Sequence, residues 1–167
     1  SFGPLNLGLD EPTVRKRVDA ALDAVGMTMF SEKSVHNLSF GQKKRVCIAG
    51  VLAMQPEMLL LDEPLAGLDP AMREESLVVL DRLNAAGVTL LLATHDVDFA
   101  YRWADRAHLL AGGRCLATLA SEQLPSAAAA LAAVGMPLPH VARLAAALAA
   151  RGLLPGDASP RTPAELL

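Results

Sequence analysis

The residues best suited to chemistry lie between Leu38 and His95, and each group among them answers a different chemical need. Ser39-Phe40-Gly41-Gln42 opens a stretch in which Val46, Ala49, Gly50 and Ala53 recur at helical spacing, so a capped helix is predicted from Ser39 to about Met54. A helix start carries unsatisfied N–H groups and a positive dipole end, which suit a phosphate; Gly41 has no side chain to keep an anion off the backbone. The same residues also spell a Ser-x-x-Gln capping box, which needs no ligand at all.

The apolar run Met58 to Leu61 ends in Asp62-Glu63-Pro64. It reads as a buried strand that delivers two carboxylates to its C-terminal edge, where open α/β sheets bind ligands. Side chains alternate along a strand, so the two acids point in different directions and can hold different jobs. One would hold Mg²⁺, usually through water, and the other would orient or deprotonate an attacking water. The plain alternative is a polar strand end leading into a turn. A second apolar run, Val88 to Ala93, precedes Thr94-His95-Asp96. An imidazole at the end of that strand can hydrogen-bond a phosphate and a water, although a lone histidine is more often structural.

The elements that must position these groups follow from periodicity. Ser1 to Leu9 is rich in Gly, Pro and Asn and is predicted extended. Asp10 then caps an amphipathic helix with Val14, Val18, Ala21, Leu22 and Val25 on one face and Gly26 as its stop. After Asp69-Pro70 a helix from about Ala71 to Ala86 should bury Met72, Val79, Leu80 and Leu83, with Gly87 ending it. Asp96 caps a short helix through Trp103, and Arg106 to Ala111 with Arg114 to Leu119 flank Gly112-Gly113 as a two-residue hairpin. From Ser121 onward the chain turns Ala-rich, with helices expected over 126–134 and 140–151 and Val141, Leu144 and Leu148 as the buried stripe of the second. Lys43, Lys44 and Arg45 read as a solvated helix face.

Composition narrows the function classes. A net charge of −3 offers no broad basic surface for nucleic acid or an anionic membrane. Cys47 and Cys115 form neither a metal spacing nor a disulfide framework, which fits a reducing cytosol. His36, His108 and His140 are scattered and suggest no metal cluster.

Taken together, Ser39 to Gln42, Asp62-Glu63, Ala66 to Asp69 and His95 resemble the signature, Walker B, D-loop and switch-histidine motifs of ABC transporter ATPases, in that family's order. The resemblance covers roughly Asn37 to Leu119 and departs at Phe40, where the family usually has Gly. It implies an α/β fold, part of a P-loop NTPase, with a helical signature subdomain (1–55), a catalytic subdomain closed by a β-hairpin (56–120) and a helical tail for dimerisation (121–167). It implies ATP and Mg²⁺ as ligands: Asp62 on the metal, Glu63 on the water, His95 on the terminal phosphate. Ser39, Phe40, Gly41 and Gln42 would close over the ATP of a second ABC ATPase subunit, identical or not, and Asp69 would cross the dimer interface. The implied partners are transmembrane transporter subunits, at the cytoplasmic face of the membrane, and no nucleic acid.

Phe2 to Gly8, the run Gln42 to Met54 and, more loosely, the ending Pro160 to Leu167 resemble one subgroup, the ATPases of energy-coupling-factor importers for cobalt or nickel. The family's phosphate loop, G-x-x-x-x-G-K-[ST], should precede the signature. No Gly-Lys pair occurs in this sequence, so the chain as written is expected not to form an ordinary ATP site of its own. Two other readings stay open: a non-hydrolysing remnant that lends its signature surface to a complete partner, and an ABC ATPase outside transport.

Overall fold

A computed structural model describes residues 2–155 and 158–166, arranged as two compact units, 1–93 and 94–167. In the first unit, α1 (Phe2–Asn6) and α2 (Glu11–Ala24) lead through two short 3-10 turns to α3 (Phe40–Leu52); then follow β1 (Met58–Asp62), α4 (Pro70–Ala85) and β2 (Thr89–Ala93).

The start of the chain corrects the expectation of an extended entry: Phe2–Asn6 is helical. Tertiary packing outweighs the Gly/Pro composition here: Pro4 is buried, and Gly3 lies so close to the Met54 side chain that a Cβ there would fall 2.8 Å from its sulfur. Of the predicted extended stretch, Ser1 lies outside the described residues. Asp10 and Gly26, at φ 67°, flank α2 as the sequence proposes, although Asp10 makes no side-chain capping bond; a Pro in the first turn, not used in that reading, also marks the start.

β1 and β2 pair in parallel, Met58 opposite Thr89 through Asp62 opposite Ala93, with α4 as the crossover. Leu59 is buried against Val25, Met27, Leu38, Ala49 and Leu83. Burying Val25 and Met27 almost completely contributes about 1.5–3 kcal/mol each. The opposite face of the pair is not covered: Leu60 is 70% exposed, and Met58 and Leu91 are exposed beside it. That corrects the reading of both strands as buried. An apolar run with no polar alternation signals two covered faces, and among the described residues only one is covered. On α4, Leu77 joins Val79, Leu80 and Leu83 in the interior, whereas Met72 is only half-buried because it reaches sideways to α3.

In the second unit, α5 (Val97–Trp103) is followed by the antiparallel hairpin β3 (Arg106–Ala111) and β4 (Arg114–Ala120), a 3-10 stretch over Ser121–Ser126, α6 (Ala128–Ala133) and α7 (His140–Ala149). Asp96 caps α5 by accepting from the Phe99 N–H at 2.9 Å. Gly112 and Gly113, at φ 55° and 72°, give the hairpin the left-handed turn it requires. Tyr101, Leu124 and Leu131 are the fully buried centre of this unit. The helices are shorter than the Ala-rich segments suggest, and Leu144 is 50% exposed while Ala145 takes the buried position. The tail is pinned by Arg161, whose guanidinium donates to the carbonyls of Tyr101 (2.9 Å) and Ala104 (3.0 Å) and to the Ser121 hydroxyl (2.8 Å). Burial holds the Tyr101 phenol above its ordinary ionisation range, an effect partly offset by that guanidinium. Leu167, the last residue of the ending compared above, lies outside the described residues.

Candidate functional site

The start of α3 is built by a complete capping box. Ser39 Oγ accepts from the Gln42 N–H at 3.2 Å, and Gln42 Oε1 accepts from the Ser39 N–H at 2.9 Å. Ser39 is exposed, as an anion-binding helix start must be, while Leu38 just before it is buried and anchors the turn. The capping box therefore forms, and Ser39 at its start is exposed.

Gly41 does more than leave room for an anion. It is buried, and a Cβ there would lie 3.1 Å from the Met72 sulfur and 3.7 Å from Leu68. The missing side chain lets the helix start seat against the loop and helix that follow β1. Phe40 is 59% exposed, and its ring lies against Gly67, where a Cβ would come within 3.4 Å of it.

Asp62 closes β1 with its side chain exposed, on the sheet face that also carries Met58 and Leu60. Glu63 leaves the strand at φ 44°, a left-handed conformation unusual for a residue with a side chain, and its N–H donates to the Ala93 carbonyl at 2.9 Å. Both acids thus stand at the C-terminal edge of the parallel pair. Asp69 caps α4, accepting from the Met72 N–H at 2.9 Å ahead of Pro70, and is exposed. The first unit therefore brings together the helix start, the acidic pair and Asp69. His95 belongs to the second unit, exposed, in the link that leads from β2 to the Asp96 cap of α5.

The donors at the end of β1 fit a hard divalent cation: Asp62 offers an exposed carboxylate oxygen pair, the ligand type Mg²⁺ takes alongside water and phosphate. The exposed α3 start fits phosphate oxygens by its unpaired N–H groups and dipole. Among the described residues, no group of three or more His, Cys, Asp or Glu side chains is placed to hold a metal by itself, and no helix is long and apolar enough to cross a membrane.

One residue was missed by sequence reasoning. Lys44, read as part of a solvated face, is half-buried, and its ammonium donates to the carbonyls of Glu63, Pro64 and Ala66. Nothing in a Lys-Lys-Arg run reports that contact, because its partners lie some twenty positions away. Arg45 next to it pairs with Glu75 of α4.

The sequence profile of the ABC transporter family matches residues 5–66. The chain is 50% identical, over 97% of its length, to the cobalt import ATP-binding protein CbiO of Rhodobacter capsulatus, of which it covers 58%. It is 46% identical over 86% of its length to the energy-coupling factor transporter ATP-binding protein EcfA of Methanocaldococcus jannaschii, covering 52% of that protein. Its structure is similar to that of cbiO1 from Clostridium perfringens, part of the ABC transporter complex cbiONQ, with a TM-score of 0.68 at 40% identity, over 86% of this chain and 57% of the other. The chain thus spans little more than half the length of these relatives.

Proposed function

This chain belongs to the ABC transporter ATP-binding family, with the α/β fold of part of an ABC ATPase, and from that premise we propose that it is the part of an energy-coupling-factor ATPase that hydrolyses ATP to drive import of cobalt or nickel ions. The observation that carries the proposal is that one unit presents both an exposed capped helix start at Ser39 and, at the end of a parallel strand, Asp62 and Glu63.

Each group then has one task. Ser39 and the N–H groups beside Phe40 and Gly41 hold the phosphates of ATP bound to a second ATPase subunit, with Gln42 keeping the helix start in shape through the capping box. Asp62 holds Mg²⁺ through its carboxylate. When bound, Mg²⁺ neutralises charge that builds on the transferring phosphoryl group. Glu63 accepts a hydrogen bond from the attacking water and draws off its proton. His95 is assigned to the terminal phosphate oxygens, and Asp69, already committed to capping α4, to the surface where two subunits meet. Residues 1–55 serve the signature role, 56–120 the catalytic role and 121–167 the pairing of subunits. The ATPase works peripherally, at the cytoplasmic face of the membrane, on transmembrane subunits of the importer.

Phosphate release by the assembly that contains this chain tests the metal assignment. Asp62→Asn should raise the Mg²⁺ concentration for half-maximal turnover about tenfold, since an amide is a weaker, uncharged ligand, while ATP binding measured in chelator stays within about twofold. An unchanged Mg²⁺ dependence would remove Asp62 from the metal.

A further inference from the structure

We propose that Lys44 is a positioning residue for Glu63, clasping the start of α3 to the loop that runs from the acidic pair to Asp69. The proposal rests on the hydrolytic reading of Glu63 given above. The Lys44 ammonium, with three N–H donors, converges on three backbone carbonyls: Glu63 at 3.3 Å, Pro64 at 3.1 Å and Ala66 at 2.6 Å. It also stands 5.2 Å from the centroid of the Phe40 ring, and that ring touches Gly67. Phe40, Lys44 and residues 63–67 therefore form one contiguous cluster.

The cluster has something to hold. Glu63 occupies a left-handed backbone conformation at φ 44°, and Gly67 another at φ 72°. For a residue with a side chain, such a conformation is strained and persists only where surrounding contacts over-determine it. Both sides of Glu63 are so fixed: its N–H by the Ala93 carbonyl of β2, its carbonyl by Lys44 of α3. Together with the Ala66 N–H, which also donates to the Glu63 carbonyl at 3.2 Å, those bonds hold the backbone from which the carboxylate projects. Three carbonyls aimed at one point also need a cation there, and a compact ammonium meets them where the flat fork of an arginine would not. The consequence is mechanical. The helix start that closes on a partner's nucleotide and the residue that prepares water share one connection through Lys44, so loss of the Lys44 charge should loosen Glu63 while the Ser39–Gln42 capping box persists.

Lys44→Met keeps the aliphatic stem and removes the donors. In the assembly that contains this chain it should lower kcat about tenfold or more, with the Kd for ATP within about twofold, and speed hydrogen exchange of the Ala66 and Leu68 amides about tenfold or more. Lys44→Cys, made with Cys47→Ser and Cys115→Ser, should regain most turnover when alkylated to an aminoethyl thioether, which restores an ammonium, and none when alkylated with iodoacetamide. A lysine that acts through its bulk alone would give equal results with both reagents, and that equality would overturn the proposal; a merely structural ammonium would move the urea midpoint and leave kcat per folded assembly unchanged, which would overturn it too. So would exchange and kcat of Lys44→Met within about twofold of wild type. The two readings fail separately: a wild-type assembly that releases no phosphate from Mg-ATP sinks the hydrolytic reading and the positioning role with it, whereas wild-type turnover indifferent to Lys44 sinks the positioning role alone.

Discussion

Glu63→Gln in the assembly that contains this chain is expected to cut ATP turnover by about 10²–10⁴-fold while ATP stays bound. The amide has nearly the volume and hydrogen-bonding reach of the carboxylate, so the left-handed turn at Glu63 and its bond to Ala93 should persist. What the amide lacks is the capacity to take a proton from water. It also removes a negative charge near the terminal phosphate, which favours retention of the triphosphate. Phosphate release under single-turnover conditions, read beside retention of labelled ATP, checks both halves of the prediction. Turnover within about twofold of wild type would take Glu63 out of the reaction.

The second large effect is expected at Gly41. Gly41→Val places branched carbons where the Met72 sulfur sits 3.1 Å from the missing Cβ and Leu68 comes within 3.7 Å. Overpacking of this kind costs about 1–3 kcal/mol, read as a lower urea midpoint. The helix start would also be pushed off the loop that carries Leu68 and Asp69, and removal of positioned N–H donors from a transferring phosphoryl group costs about 10²–10³ in kcat. Gly41→Ala should be far milder, because the opposing atom is the far end of a flexible methionine that can yield, and alanine favours the helix. If Gly41→Val lowered the midpoint and left turnover intact, the glycine would serve packing only.

How much of this was legible in the sequence depended on how local the cause was. The Ser39–Gln42 box, the Asp69-Pro70 start and the Gly112-Gly113 turn are fixed by a few neighbouring residues, and each forms as read. The parallel pairing of β1 with β2 was likewise readable from two apolar runs separated by a helix. What was not legible depends on distant partners. Phe2–Asn6 forms a helix that packs Gly3 against Met54, across most of the first unit's sequence. The open face of Met58, Leu60 and Leu91 cannot be told from a covered one by hydropathy, since both read as continuous apolar runs. Lys44 looked like one charge in a basic run, and only the fold brings the carbonyls of Glu63, Pro64 and Ala66 to it. Leu144 had the right spacing for the interior of α7, but Ala145 holds the buried position.

The central claim is that each hydrolytic centre is shared, the α3 start coming from one subunit and the acidic pair from the other. Mixing two defective subunits tests it directly. One carries Ser39→Glu, which suits the dipole of the helix start yet repels phosphate; the other carries Glu63→Gln. Each should be inactive alone. Random pairing makes about half the dimers mixed, and in a two-fold arrangement each mixed dimer gathers both defects into one site and leaves the other whole, so about a quarter of wild-type turnover should return. A mixture no more active than its separate components would contradict the account.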